Sequence, residues 1–248
     1  RRKRVGLLAT CLIDTFRPNA GFAAAKLLEQ AGFSVEVPVH GCCGQPNFNG
    51  GDETGAQQLA RSVIKTFSDF DYVVVPSVLC VALIRVLYPD MFPGEGEVTA
   101  MATALADKTW ELTSFLVEVA RVDALDVEMD ATVVLHDPCS GLRELGIREQ
   151  PRALLGRVQG LQLKEPANPE VCCGFGGTFC IKYPDISARI ADNKIADLQA
   201  AGPCDALVST DFGCLMHLGG ALHRDGAALK ILHIAEVLAG MTDSGGSA

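Results

Sequence analysis

The stretch Gly41-Cys42-Cys43-Gly44 decides how this chain is interpreted, because its Cys-Cys-Gly triplet returns at Cys172-Cys173-Gly174. Vicinal cysteines on an extended strand point to opposite faces, so two of them can meet at one centre only in a turn. Glycine supplies the backbone freedom that such a turn requires. Each triplet is therefore predicted to be a loop that presents two thiolates to a metal.

Further cysteines flank each triplet at nearly equal distances. One precedes the triplet by 31 residues in the first half of the chain and by 33 in the second, and another follows it by 37 and 41 residues. The repeated spacing favours ligation over inert, buried thiols. The predicted ligands are Cys11, Cys42, Cys43 and Cys80, here called the first set, and Cys139, Cys172, Cys173 and Cys214, the second set.

The number and spacing of the cysteines indicate the kind of metal. Ten cysteines in 248 residues without an export signal favour metal or redox chemistry over disulfides. Ligand sets made only of thiolates select zinc or iron–sulfur clusters. The Cys-x2-Cys pairs typical of structural zinc do not occur in the sequence, which favours iron–sulfur. Cys180 and Cys204 have no counterpart in the other half and are predicted to be spare or core thiols.

The patterned cysteines each follow an apolar segment that is predicted to be a strand, and the strands alternate with helices. This alternation is typical of a parallel sheet, whose ligands bind beyond the carboxyl ends of the strands. Residues 71–80 align without a gap over residues 205–214, which indicates an internal duplication. Residues 98–120 are predicted to form one long helix or two short ones.

The predicted fold class is α/β, with two pseudo-twofold-related lobes. Each lobe is expected to hold a short, mainly parallel sheet flanked by helices, with the cysteine loops at the carboxyl ends of the strands. The predicted limits are 1–127 for the first lobe, 128–240 for the second and 241–248 for a flexible tail.

Charge and hydropathy exclude other classes of protein. The formal net charge of -9 argues against nucleic-acid binding, which requires a basic face. The apolar runs all fall short of the ~18 residues that a membrane span needs. The chain shows no secretory signal, so we expect a cytoplasmic protein without a direct membrane span.

Other residues lie near the predicted ligands. Gly44, Gly174, Gly176 and Gly177 are predicted cofactor-binding residues, because glycine lets the backbone approach a cluster and donate N–H groups to its sulfurs. His40 and His136 could tune a cluster or carry a proton, although loop histidines with satisfied hydrogen bonds are favoured. No catalytic residue is predicted, since neither a Ser-His-Asp order nor a paired-carboxylate motif stands out.

The double cysteine pattern resembles the duplicated cysteine-rich (CCG) domain of iron–sulfur oxidoreductases. That family includes the cysteine-rich chain of heterodisulfide reductase and the iron–sulfur chain of glycolate oxidase. The stretches Ala9-Thr-Cys-Leu-Ile-Asp14, Cys42-Cys-Gly-Gln-Pro46 and His233-Ile-Ala-Glu-Val-Leu238 carry the resemblance along nearly the whole chain. It implies two [4Fe–4S] clusters in an electron-transfer subunit, inactive alone, of a complex that oxidises L-lactate to pyruvate. Another iron–sulfur protein is implied among its partners.

The chain departs from the heterodisulfide reductase pattern at one position in each half. Those relatives end each half in Cys-x-x-Cys, whereas this chain has Ser77 and Asp211 where the first cysteine would stand. Either residue could supply an oxygen ligand, but helix-capping roles are favoured. Four thiolates suffice for an ordinary cubane.

Three alternatives to the lactate-oxidising complex stay open. A thiol/disulfide reductase that uses a cluster as its active site is weakened by the missing fifth thiolate. A glycolate-oxidase-type subunit is the second alternative. A structural zinc protein is the least favoured, and zinc in one lobe beside an iron–sulfur cluster in the other also remains open.

Overall fold

The computed structural model describes residues 2–227 and 229–242. Apolar, β-branched segments form its strands, and these assemble into two four-stranded sheets in which the strands are parallel to their neighbours. The strands are β1 (Arg4–Leu7), β2 (Ser34–Glu36), β3 (Tyr72–Val75), β4 (Thr109–Glu111), β5 (Glu128–His136), β6 (Gln159–Lys164), β7 (Ala206–Ser209) and β8 (Lys230–His233).

The two sheets have the same topology. The strand order is β2-β1-β3-β4 in the first sheet and β6-β5-β7-β8 in the second. The second half of the chain thus repeats the first, strand for strand, as the internal alignment predicts. The predicted fold of two α/β lobes with parallel sheets is confirmed.

Helices connect the parallel strands, as such crossovers require. They are α1 (Cys11–Phe16), α2 (Pro18–Gln30), α3 (Gln45–Gly50), α4 (Glu53–Thr66), α5 (Val78–Ala82), α6 (Gly96–Lys108), α7 (Leu112–Ser114), α8 (Glu149–Leu155), α9 (Phe179–Lys182), α10 (Pro184–Ala200), α11 (Phe212–Arg224) and α12 (Ile234–Leu238). Wider, π-helical turns cover Leu83–Leu87, Phe115–Val119 and Gly141–Leu145, and a 3-10 turn covers Tyr88–Asp90.

One apolar cluster joins the two sheets. It contains Val5 and Leu7 of β1 together with Val133 and Leu135 of β5, all of which are buried. The opposite face of each sheet packs into a cluster of its own, with α4 and α6 in the first half and α10 and α11 in the second. Because both faces of each sheet are covered at its centre, central strands such as β3 and β7 are continuous, mainly apolar runs.

Contacts between the two halves also include polar groups. The Arg17 guanidinium, in the link between α1 and α2, binds the Glu236 carboxylate of α12 at 2.9 and 3.1 Å, and that carboxylate is fully buried. The Lys26 ammonium donates to the Ala239 carbonyl at 2.8 Å. The last helix of the second half is therefore held against the first long helix of the first half.

Of the two possibilities predicted for residues 98–120, one long helix or two short ones, the structure has the second, with a strand between the helices that was not predicted. Leu105, Leu112 and Leu116 recur at helical spacing, which gives no sign of that strand. In the structure Thr109–Glu111 leave the helix and pair with β3 as the edge strand β4. A three-residue strand is too short to interrupt helical periodicity in a sequence, so only the sheet reveals it.

The predicted lobe limits remain a proposal. The division at residue 127 falls immediately before β5, and we retain 1–127 and 128–240 on that ground. Most of the tail predicted for 241–248 lies outside the described residues. Within the described part of the chain, the helices are all too short or too polar to cross a membrane.

Candidate metal centres

The first set of cysteines gathers at the carboxyl edge of the first sheet. Cys11 opens α1 directly after β1, the pair Cys42-Cys43 lies between β2 and α3, and Cys80 lies in the first turn of α5 after β3. The Sγ atoms of Cys11 and Cys42 are 3.8 Å apart, and those of Cys43 and Cys80 are 3.2 Å apart. Cys42 and Cys43 are consecutive residues, so the two sulfur pairs belong to one group.

The second set is arranged in the same way at the edge of the second sheet. The Sγ atoms of Cys139 and Cys172 are 4.0 Å apart, and those of Cys173 and Cys214 lie within 4.8 Å of each other. Cys172 and Cys173 are consecutive residues, so these two sulfur pairs also belong to one group. In both sets the second cysteine of the triplet and the last cysteine are buried, while the other two are more accessible.

Glycine forms the turn of each triplet. Gly44 has φ 95° and Gly174 has φ 88°, both in the left-handed region that favours glycine. The Gly44 N–H donates to Cys42 Sγ at 3.4 Å, and the Gly174 N–H donates to Cys172 Sγ at 3.3 Å. The turn therefore brings a backbone N–H donor to the first cysteine sulfur of each triplet.

The two other predicted glycines make different contacts. Gly176 and Gly177 also have positive φ angles. The Gly176 carbonyl accepts from the Asn49 amide at 3.2 Å, and the Gly177 carbonyl accepts from the Cys180 thiol at 3.1 Å. The neighbouring Phe175 N–H donates to Cys173 Sγ at 3.5 Å. Gly176 and Gly177 thus shape the loop and connect it to α3 of the first half.

Each set favours one thiolate. Sulfur contacts with Cys11 and Cys43 lower the pKa of Cys42 to about 2, and sulfur contacts with Cys139 and Cys173 lower the pKa of Cys172 in the same way. The pKa of Cys11 is raised, chiefly because its proton is held by Cys42.

The donor chemistry of both sets fits a metal centre. Four sulfurs converge, and all ten cysteines are free thiols, so none is consumed in a disulfide. Thiolate ligands without carboxylates select zinc or iron–sulfur rather than magnesium or calcium. Cys180 and Cys204 lie outside the two groups: the first donates to its own loop, and the second lines an apolar cavity with Ile195 and Leu222.

Ser77 and Asp211 act as helix caps. The Ser77 hydroxyl accepts from the Cys80 N–H at 3.5 Å at the start of α5, and the Asp211 carboxylate accepts from the Cys214 N–H at 3.2 Å at the start of α11. Both side chains are buried. Burial raises the pKa of Asp211, although hydrogen bonds from Ser77 and from backbone N–H groups oppose this effect.

His136 differs from the satisfied loop histidine that the sequence favours. It is the last residue of β5 and is completely buried, yet neither ring nitrogen has a hydrogen-bond partner within the described part of the chain. Its ring reaches the second set, with a nitrogen within 4.8 Å of the Sγ atoms of Cys173 and Cys214. Burial lowers the pKa of His136 to about 3, so the imidazole is neutral. His40 does have a partner, the Gly41 carbonyl at 2.7 Å.

Comparison with known proteins agrees with this arrangement. Residues 5–85 and 133–219 each match the family described as "CCG: Cysteine-rich domain". Lactate utilization protein A of Geobacillus sp. (strain WCH70) is 43% identical over 236 residues, which cover 95% of this chain and 98% of that protein. Lactate utilization protein A of Bacillus cytotoxicus is 40% identical over the same shares. The chain therefore belongs to the cysteine-rich CCG domain family, in two copies, and groups with the lactate utilization A proteins.

Proposed function

We propose that this chain is an iron–sulfur electron-transfer subunit of a complex that oxidises L-lactate to pyruvate. The observation that carries the proposal is the convergence of the cysteines into two groups of four sulfurs, each at a sheet edge. In this proposal Cys11, Cys42, Cys43 and Cys80 hold one [4Fe–4S] cluster, and Cys139, Cys172, Cys173 and Cys214 hold the other. Such clusters supply one-electron transfer at potentials that their surroundings tune.

The residues around each group have definable roles in this function. The N–H groups of Gly44, Gly174 and Phe175 point at cysteine sulfurs, and such donors stabilise the more negative, reduced charge state. Helix N-termini at Cys11, Cys80 and Cys214 add positive partial charge that favours thiolates. Burial of Cys43 and Cys173 keeps water from part of each centre.

Transfer to a partner requires an accessible side, and the exposed residues provide one. Cys11 is exposed. Val39, three residues before Cys42, is 99% exposed, and Ile181, beside the second loop, is 79% exposed. The Lys182 ammonium donates to the Gly50 carbonyl at 3.2 Å, so this part of α9 lies against α3 of the first half. Apolar residues beside both centres suit docking of another oxidoreductase subunit.

Metal analysis is the first test. Protein purified without oxygen should contain about eight iron and eight sulfide per chain, as two [4Fe–4S] clusters require, and should be brown. Cys43→Ser and Cys173→Ser should each remove about half of the iron. Cys204→Ser, which changes a thiol outside both groups, should leave the iron content unchanged. Zinc without sulfide would overturn the proposal in favour of a structural zinc protein.

The second test addresses lactate. The tagged chain, recovered with its partners from lactate-grown cells of its native host, should lose visible cluster absorption when L-lactate is added anaerobically. Glycolate in place of L-lactate serves as the control, and bleaching by glycolate alone would indicate the glycolate-oxidase-type alternative. Disulfide reduction by the isolated, reduced chain would instead indicate a thiol/disulfide reductase.

A further inference from the structure

One buried polar group in this protein lacks a partner beside a proposed metal centre. The His136 ring is 0% exposed, and neither Nδ1 nor Nε2 makes a hydrogen bond to any residue that the structure describes. Its backbone is fully used, since it pairs with Ser209 across β5 and β7 and its carbonyl accepts from the Ser209 hydroxyl at 2.8 Å. Buried imidazoles nearly always bind a donor, an acceptor or a metal.

The other buried histidines of the second half show what a satisfied ring looks like. His233 Nε2 contacts the Pro76 carbonyl at 3.1 Å, and its Nδ1 accepts from the Ala235 N–H at 3.2 Å. His217, which is partly buried, contacts the Ser187 hydroxyl at 3.1 Å. His136 has the sulfurs of Cys173 and Cys214 as its neighbours instead.

The first half offers an internal comparison. His136 stands three residues before Cys139, and the residue three before Cys11 is Leu8. Leu8 is buried in one apolar cluster with Cys43 and Cys80, as His136 is placed beside Cys173 and Cys214. At this equivalent position the first centre has an apolar side chain, and the second has an imidazole that can bind a metal.

We propose that His136 is a nitrogen ligand to the metal of the second centre, acting together with Cys173 and Cys214. The inference deepens the proposed function, on whose metal centres it rests. A four-iron cluster offers one terminal position on each iron, so the imidazole takes that of one of the four cysteines, and its ring nitrogen already lies within 4.8 Å of the Sγ atoms of Cys173 and Cys214. The first centre is then bound by thiolates alone, and the second by thiolates and a neutral imidazole.

The consequence is a chemical difference between the two centres. Imidazole in place of a thiolate removes one negative charge from the centre, and histidine ligation raises the reduction potential of iron–sulfur centres relative to thiolate ligation. The second centre is then the electron-accepting end of the pair, and the first centre the donating end.

The test uses Co²⁺ as a probe, which makes it independent of the native metal. The full chain is stripped of metal under reducing, anaerobic conditions, labelled with ring-¹⁵N histidine and loaded with two equivalents of Co²⁺. Thiolate binding appears as intense charge-transfer absorption. A Co²⁺-bound imidazole appears as a strongly shifted proton resonance that is coupled to ¹⁵N.

The wild-type chain should show one such resonance, and His136→Leu, which installs the residue of the first centre, should lose it while keeping the charge-transfer absorption. His217→Gln, His40→Gln, His223→Gln and His233→Asn should all retain it, which assigns the signal to His136 even if His136→Leu does not fold. If the wild type shows charge-transfer absorption but no shifted resonance, His136 is not a ligand, although the cysteines do bind metal. If the wild type shows no charge-transfer absorption, both His136 ligation and the proposed metal centres are overturned.

Discussion

Ser77 and Asp211, 134 residues apart in the sequence, are joined by a buried hydrogen bond in which the Ser77 hydroxyl donates to Asp211 Oδ2 at 2.7 Å. The same carboxylate oxygen accepts from the Leu79 N–H of α5 at 3.2 Å, while Oδ1 caps α11. One carboxylate therefore caps helices in both halves, and each of these helices carries the last cysteine of its set.

The first prediction concerns this shared cap. Asp211→Ala should lower the free energy of unfolding by about 2–4 kcal/mol, because it removes a helix cap and leaves buried donors without acceptors. Ser77→Ala should lower the free energy of unfolding by only about 1–2 kcal/mol, since the Asp211 carboxylate loses one donor, the Ser77 hydroxyl, and keeps its backbone N–H donors. Urea unfolding of the metal-free, reduced chain measures both values.

Ser68→Ala provides the matched control, because Ser68 is an exposed serine whose loss should change stability by less than about 0.5 kcal/mol. If Asp211→Ala were no more harmful than Ser68→Ala, the carboxylate would have no structural role at the contact between the halves.

The second prediction concerns the Arg17–Glu236 ion pair. Arg17→Met should destabilise the protein by about 3–5 kcal/mol, because it leaves a fully buried carboxylate without its cation. The double variant Arg17→Met with Glu236→Leu should recover most of this loss, since an apolar pair replaces both charges. Additive effects in the double-mutant cycle would show that the two side chains are not coupled.

The third prediction separates steric from conformational effects at the second triplet. A Cβ on Gly174 would lie 2.5 Å from the Ser187 carbonyl oxygen, in addition to the strain of φ 88°. Gly32 has nearly the same φ, 91°, and no atom within 4 Å of such a Cβ. Gly32→Ala should therefore cost about 1–2 kcal/mol, the left-handed penalty alone. Gly174→Ala should cost more and should also displace Cys172.

Denaturant unfolding of both variants, with a count of thiols that react under native conditions, measures these effects. Equal losses in Gly174→Ala and Gly32→Ala would contradict the steric argument, because the two glycines share their backbone conformation and differ in their surroundings.

The fourth prediction is a pH dependence at His233. Burial lowers its pKa from 6.5 to about 4, and the Arg17 charge acts in the same direction, while contacts with the Pro76 and Thr210 backbone oppose it. A depressed histidine pKa contributes stability that is complete above pH 6.5 and is lost as the pH falls towards 4. The loss should reach up to about 3 kcal/mol.

The measurement compares the wild type with His233→Asn, which keeps a capping side chain at the start of α12. Unfolding free energies are collected from pH 7.5 to pH 4. The difference between the two proteins should shrink as the pH falls, because only the wild type must protonate this ring on unfolding. A difference that stays constant with pH would exclude His233 as the titrating group.

The sequence predicts the elements that repeat. Strands such as Tyr72–Val75 are uninterrupted β-formers, and the cysteines mark their carboxyl ends, so the strands and their parallel arrangement follow from local patterns, while the strand order comes only from the structure. The edge strand β4 could not be predicted, because three residues inside a helical pattern carry no signal of their own.

The side chains around the sites are harder to predict, because their roles depend on contacts between distant segments. The alignment places Ser77 and Asp211 at equivalent positions, but only the packing of the two halves brings them into one hydrogen bond. In the same way, the three-residue distance between His136 and Cys139 does not reveal that the ring is buried without a partner beside Cys173 and Cys214.

The hydrogen bond between Ser77 and Asp211 has a consequence for how a duplicated chain can arise. In a symmetric dimer of identical lobes, this position would face its own copy across the twofold axis. Two aspartates would bring two buried carboxyls together, and two serines would leave the N–H groups of Leu79 and its counterpart without a carboxylate acceptor. Fusion of the lobes into one chain frees the two positions to diverge, so that a donor meets an acceptor. Because the two residues of this pair differ, each half is complementary to the other half of the chain. Pairing of one half with a second copy of the same half is therefore disfavoured.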